Sequence, residues 1–252
     1  MSGHSKWATI RRQKESNDAK RGQQFTKLAN AITVAVREGG GVTDPQSNFK
    51  LRLVIQKAKE INMPKDNIQR AVDRGRGAGS GISLEEVLYE GYGPFGVGIL
   101  VEAVTDNKQR TAQVVKNIFD KSGGSLAGPG AVSFQFNKVG FIVVEKSDPI
   151  DDQILKIIDL VGADDVEEVE DGLEIYVSLS QLETARKTLA ENGFVVRSAE
   201  PAQRPTTVIE VKDPAEAKRV MKILDDLENL DDVQKVWANM DIPKDVLTEV
   251  LA

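Results

Sequence analysis

Residues 139–200 read VGFIVVEKSDPIDDQILKIIDLVGADDVEEVEDGLEIYVSLSQLETARKTLAENGFVVRSAE. VGFIVVE, VEEVE, LEIYVS and FVVRSAE have the short, β-branched character of strands. PIDDQILKIIDLVG and SQLETARKTLAENG read as helices that stop at glycine, and Asp171 with Gly172 reads as a hairpin turn. The order is strand, helix, strand, strand, helix, strand. A βαββαβ unit of this kind closes its own sheet, which predicts a ferredoxin-like α/β sandwich.

The flanks of this unit are incomplete. Upstream, GVGILVEAV (96–104) reads as a buried strand, NKQRTAQVVKNIFDKSG (107–123) as a helix and GGSLAGPG (123–130) as a loop. Downstream, EPAQRP (200–205) punctuates the chain before a TTVIEV strand, a DPAEAKRVMKILDDLENL helix and a VQKVWANM strand. Neither flank has enough strands to be stable alone, so the two are expected to share one sheet. Residues 81–131 and 205–252 then form a discontinuous middle α/β domain, and residues 132–204 are an insertion in it.

Further toward the N-terminus the period changes to that of helices. Phe25, Leu28, Ala29, Ile32 and Val36 fall on one helical face within residues 24–38. After the break GGGVTDP, residues 48–61 repeat the pattern through Leu51, Val54, Ile55, Ala58 and Ile61. MPKDNIQRAVDRGRG supplies a third, shorter helix with Ile68, Ala71 and Val72 as its apolar face, Pro64 in its first turn and Gly75 and Gly77 at its end. Three such faces can be buried only against one another. The expected fold is therefore multidomain α+β: an arm and three-helix domain over residues 1–80, then two α/β sandwiches, one inserted in the other.

Charge divides the chain in the same place. The formal net charge is −6, yet residues 1–80 carry 16 Lys/Arg against 7 Asp/Glu, and residues 81–252 carry 17 against 32. A head of +9 on a body of −15 is expected to meet a polyanion with the head alone. The arm MSGHSKWATIRRQKESNDAKRGQQFTKL concentrates this charge in Lys6, Arg11, Arg12, Lys14, Lys20, Arg21 and Lys27, beside His4 and a stacking-competent Trp7. On the second helix Lys50 and Lys57, like Arg52 and Lys59, are seven apart, close to two turns; on the third, Arg70 and Arg74 are four apart.

Several chemistries are excluded. The chain has no cysteine, which removes disulfides, thiolate nucleophiles and Cys-ligated metals, and His4 is its one histidine, which removes a Ser-His-Asp triad and multi-histidine metal sites. Gly91, Gly93 and Gly96 match G-x-G-x-x-G but precede a strand and enclose Pro94, so they do not read as a dinucleotide fingerprint. The acidic clusters at 148–152, 164–168, 225–228 and 231–232 sit at helix starts or turns, where carboxylates complement the helix dipole, and no coherent Mg²⁺ ligand set emerges from them. In TDNKQRT (105–111), Thr105, Asp106 and Asn107 are capping candidates, with Lys108 and Arg110 as surface cations. No run reaches the roughly 18 apolar residues of a membrane span, and polar QKESNDAKRG follows the basic start instead of an apolar segment. Neither a membrane partner nor a signal peptide is expected, and the location expected is the cytoplasm.

GHSKWATI, DAKRGQQFTKL, NMPKDNIQRAV, YEGYGPFGVGILVEAVTDNKQRT and KSGGSLAGPGAV resemble, in order and over essentially the whole chain, the signature stretches of the YebC/PmpR family, to which the mitochondrial translational activator of cytochrome oxidase also belongs. Thr9 and Gln13 in the arm and AGPGAVSF at 127–134 are small departures from that pattern. The resemblance implies an N-terminal helical domain with two α/β domains, no enzymatic activity and no cofactor. It further implies a DNA-binding transcriptional regulator or, alternatively, a ribosome-bound translation factor that relieves stalling at proline runs. The expected nucleic-acid contacts are His4, Lys6, Trp7, Arg11, Arg12, Lys14, Lys20, Arg21, Lys27, Lys50, Lys57, Lys65, Asn67, Arg70 and Arg74. Asn67, Gln69 and Arg70 are the groove-reading candidates on promoter DNA and the rRNA contacts on a ribosome. The acidic body is expected to meet a protein partner.

Overall fold

The computed structural model describes residues 18–77, 84–169 and 172–251. It is an α+β protein of helical head and two sheet domains, one inserted in the other. By compactness residues 136–206 form one unit, and the remaining chain forms the other.

The head consists of α1 (Asp18–Glu38), α2 (Phe49–Glu60) and α3 (Lys65–Gly75). Helix α1 starts at Asp18, six residues before residue 24, where the apolar stripe placed its start. Ile32, Ala35, Val36, Leu51, Ala58, Met63, Ala71 and Val72 are buried together, with Phe25, Leu28, Ile55 and Ile68 packed against them. Two turns fix the helix order. At the end of α1, Gly40 and Gly41 have φ of 67° and 83°, and their amides donate back to Arg37 and Val36 carbonyls at 3.0 and 2.8 Å. At the end of α2, Asn62 takes the same left-handed conformation, with φ 58°, while Asn62 and Met63 amides donate to Lys59 and Ala58 carbonyls at 2.9 and 2.8 Å. Both are Schellman endings, and Met63 closes the second by burying itself near Ala58. Pro64 is the residue that caps α3 rather than a member of its first turn.

The middle domain holds β1 (Glu85–Tyr92), β2 (Gly98–Thr105), α4 (Lys108–Lys121) and β3 (Ser125–Ala127), and it resumes after the insertion with β8 (Ile209–Glu210), α7 (Pro214–Glu228), β9 (Val233–Ala238), β10 (Met240–Asp241) and α8 (Lys244–Leu251). Its main sheet has the order β3-β1-β2-β9 with antiparallel neighbours. Two sequence expectations are corrected here. TTVIEV does not join this sheet: only Ile209 and Glu210 are extended, and they pair in parallel with Met240 and Asp241 in a separate two-stranded sheet. The sheet is completed instead by β1 and by β3, the latter inside a stretch read as loop. One sheet face packs on α4 and α7 through Ile99, Val101, Phe119, Val220, Leu224 and Val236. Against β2 and β9 also lies α1 of the head.

The inserted unit contains β4 (Phe136–Val144), α5 (Ile150–Val161), β5 (Asp165–Val169), β6 (Gly172–Ser178), α6 (Leu182–Glu191) and β7 (Val196–Pro205). The sheet order β5-β6-β4-β7, antiparallel throughout, is that of a ferredoxin-like sandwich. Gly172 belongs to β6, paired with Val169, rather than to the turn, and Asp171 lies outside the described residues.

Candidate nucleic-acid interface

Helix α3 is held by its small face, which leaves its polar face outward. Ala71, Val72 and Gly75 are buried, and the Thr33 hydroxyl of α1 donates to the Ala71 carbonyl at 3.0 Å. Asn67, Arg70 and Arg74, at spacing i, i+3, i+7, form a row along the flank of that buried face. Arg70 and Arg74 are exposed and Asn67 half-exposed. The Arg70 guanidinium donates to Asn67 Oδ1 at 2.7 Å and to the Asp66 carbonyl at 3.2 Å, which holds it against the helix. Gln69 Nε2 donates to Asp73 Oδ1 at 2.9 Å. Lys65 is exposed at the start of the helix and Lys57 half-buried on α2. Lys59 and Arg76 add two exposed cations. Arg76 was not singled out by helical spacing because it lies just past the helix, at its C-cap. Among the described residues, Lys59, Lys65, Arg74 and Arg76 have no ion-pair partner.

Two of the expected contacts are directed inward to the protein itself. Lys50 Nζ lies 2.6 Å from Glu38 and 2.6 Å from Glu86, so it ties the end of α1 to β1. Burial lowers its pKa, but the two carboxylates outweigh that and raise it. Lys27 Nζ donates to the Glu228 carbonyl, and Gln23 to the Asn229 carbonyl, at the end of α7. A cation there also complements the negative end of the helix dipole. Arg52 caps the 45–46 turn through its guanidinium and stacks on Phe49, 5.3 Å from the ring centroid. His4, Lys6, Trp7, Arg11, Arg12 and Lys14 lie outside the described residues, and Lys20 and Arg21 fall within the first turn of α1.

Part of the body's carboxylates are taken up by its own ion pairs and caps. Asp232 Oδ2 accepts from the hydroxyl of Thr111 at 2.6 Å, from Arg110 at 3.1 Å and from Thr105 at 3.2 Å. Asn107 caps α4 by accepting from the Arg110 amide at 3.0 Å, and Lys108 pairs with Glu85 at 2.5 Å. The TDNKQRT stretch thus works as a corner joining β2, α4 and the start of β9. Asp165 and Glu167 both face Arg204, Glu168 faces Lys146, and Asp226 faces Lys222. Among the described residues no group of His, Cys, Asp and Glu could hold a metal ion, and no helix is long and apolar enough to cross a membrane.

A three-helix head followed by two α/β domains, one inserted in the other, defines a class of multidomain α+β proteins, and known proteins match nearly the whole of this chain. Residues 5–78 match the TACO1/YebC protein N-terminal domain, and residues 84–240 match the TACO1/YebC second and third domain. The chain belongs to the TACO1/YebC family. A relative from Chloroflexus aggregans, named probable transcriptional regulatory protein, is 49% identical over 98% of both chains. One of the same name from Persephonella marina is 46% identical over 99% of this chain and 100% of its own. A crystal structure of a conserved hypothetical protein from Aquifex aeolicus, 40% identical, superposes with a TM-score of 0.82 over 90% of this chain and 93% of that one.

Proposed function

We propose that the chain is a non-enzymatic, nucleic-acid-binding regulator of gene expression whose basic arm and helical head grip phosphates. The observation that carries this reading is the charge division: 16 Lys/Arg against 7 Asp/Glu in residues 1–80, and 17 against 32 beyond. The names of the relatives favour transcription and so a duplex DNA target. The groove-reading candidates Asn67, Gln69 and Arg70 are already bonded to groups on their own helix. Those bonds favour phosphate contact over base-edge reading by this row, on duplex DNA and on folded RNA alike, so a ribosomal RNA target stands beside the DNA one.

Both polymers enter the test. The full chain and Arg70→Gln/Arg74→Gln are titrated at several salt concentrations against a duplex DNA and against ribosomal RNA. Two lost phosphate contacts should flatten the slope of log K against log[salt] by about 1.4–1.8, at roughly 0.7–0.9 each. Melting temperatures should be unchanged, because both side chains are exposed. An unchanged slope on both polymers would take α3 out of the interface. The polymer bound more tightly at equal salt decides between the two targets.

A further inference from the structure

Helix α5 of the inserted unit presents an apolar side chain at the centre of its solvent face. Gln153 and Ile157 are buried and set the inward direction. Leu155 lies roughly opposite and is 62% exposed, and Ile158, three residues on, is 39% exposed. Helical spacing puts Asp151 one turn before Leu155 and Asp159 one turn after it, with Asp152 on the same side. All three aspartates are exposed. Lys156, the one cation of this helix, is drawn over the Phe194 ring, 5.3 Å from its centroid. That contact brings Phe194, followed by the 57% exposed Val195, alongside α5. A surface helix ordinarily fills such a face with polar groups.

We propose that this face docks a Lys/Arg-bearing protein segment that offers an apolar side chain between its cations, as a basic amphipathic helix does. Charge selects this occupant. The face is apolar at its centre and acidic around it, and residues 136–206 carry 7 Lys/Arg against 15 Asp/Glu. A second copy of the same face would set aspartate against aspartate, and a nucleic acid meets the same repulsion. A cationic segment gains the apolar contact and the ion pairs together. The site lies in a different unit from the basic head.

The test uses the full-length protein and a synthetic amphipathic leucine–lysine helix peptide, with a leucine–glutamate peptide of the same pattern for comparison. The wild type should bind the first and not the second. Leu155→Ser should weaken binding roughly tenfold, the scale of one apolar side chain removed from the contact, with the melting temperature unchanged. Asp151→Asn/Asp159→Asn should weaken binding and reduce its salt dependence. Asp245→Asn/Glu249→Gln, the same charge change at exposed positions of α8, should leave it as it was. The proposal is overturned if the lysine peptide does not bind, if Leu155→Ser binds as the wild type does, or if the α8 variant weakens binding as much as the α5 one. It is equally overturned if the wild type forms a dimer that Leu155→Ser abolishes, since a second copy is then the occupant.

Discussion

Glu90 is 5% exposed on β1, and its carboxylate accepts from the amides of Gly130, Val132 and Ser133 at 2.8, 2.7 and 2.8 Å. Burial alone pushes its pKa up, but these donors outweigh burial and hold it below the ordinary carboxylate value. A carboxylate depressed in this way adds stability that is complete above its unfolded pKa, near 4.3, and is lost as pH falls through its folded value. Glu90→Gln, which turns an amide toward three donors, should therefore cost about 1–3 kcal/mol at neutral pH. The gap to the wild type should close as pH drops below that of a free carboxylate; urea melts at neutral and acid pH measure it, and a gap indifferent to pH would assign the effect to shape alone. Asn48 is a second such residue. It caps α2 by accepting from the Leu51 amide at 3.0 Å, and its amide donates to Ala35 and Val42 carbonyls at 2.8 and 3.1 Å, so it locks α2 to the end of α1. Asn48→Ala should cost about 1–3 kcal/mol in the same melts. Neither role was legible in the sequence, because both depend on carbonyls and amides brought together by chain reversals, and a lone Asn or Glu carries no mark of that. The internal acceptors of Lys27 and Lys50 were hidden for the same reason: charge is visible in a sequence, and the acceptor that takes it up is not.

Elements were legible where a single apolar stripe reached a single partner. The three helices of the head and the two of the inserted unit show such stripes, and β4, β5 and β6 carry Val or Ile, whereas β7 runs on to Pro205 through the EPAQRP stretch read from the sequence as a break, because pairing with β4 holds it extended. β1 was missed because its two buried residues are Glu90 and Gly91, while Leu88 is 37% exposed, the reverse of a hydrophobic alternation. Gly91 is needed there, since a Cβ would fall 2.6 Å from the Phe119 ring. The C-terminal α8 was missed because its eight residues are too few to establish a period, although Val246 is buried and Leu247 and Val250 pack on the middle core. Close approach also decides the α1–α3 contact. A Cβ at Gly75 would lie 2.6 Å from Val36 Cβ and 2.8 Å from the Thr33 carbonyl oxygen. Alanine there gains at most about 1 kcal/mol of helix propensity. Overpacking against a backbone oxygen that cannot rotate away costs about 1–3 kcal/mol, so Gly75→Ala should be destabilising. Loss of amide protection confined to α3 in hydrogen exchange would locate the strain; an unchanged or raised melting temperature would mean that α3 shifts freely on α1 and that its outward row is not held in place.

At the scale of the molecule, the charge division and the βαββαβ order were both readable from the chain, since each is a property of composition or period summed over tens of residues. The partnership of the two flanking pieces was readable only as a deficit of strands, and its actual solution, β9 beside β2 with β1 and β3 beyond, required the structure. The inserted unit has a further consequence. Its first and last strands pair directly, Phe136 opposite Pro205, so the chain leaves and re-enters the middle domain at neighbouring points, about 5 Å apart for antiparallel partners. Its sheet is complete without a strand from elsewhere. Removing residues 136–206 and joining Gln135 to Thr207 through a short Gly/Ser linker should therefore leave the remaining unit folded. The urea m-value should fall in proportion to the surface no longer exposed on unfolding, and amide protection in α1, α2, α3 and β2 should match that of the full chain. Nucleic-acid binding by the shortened protein should persist and strengthen at low salt, because the deletion removes a net charge of −8 (7 Lys/Arg and 15 Asp/Glu) that repels phosphate. Binding lost while the head keeps its protection would mean that the inserted unit itself contacts the polymer, and the division of labour between basic head and acidic body would have to be redrawn.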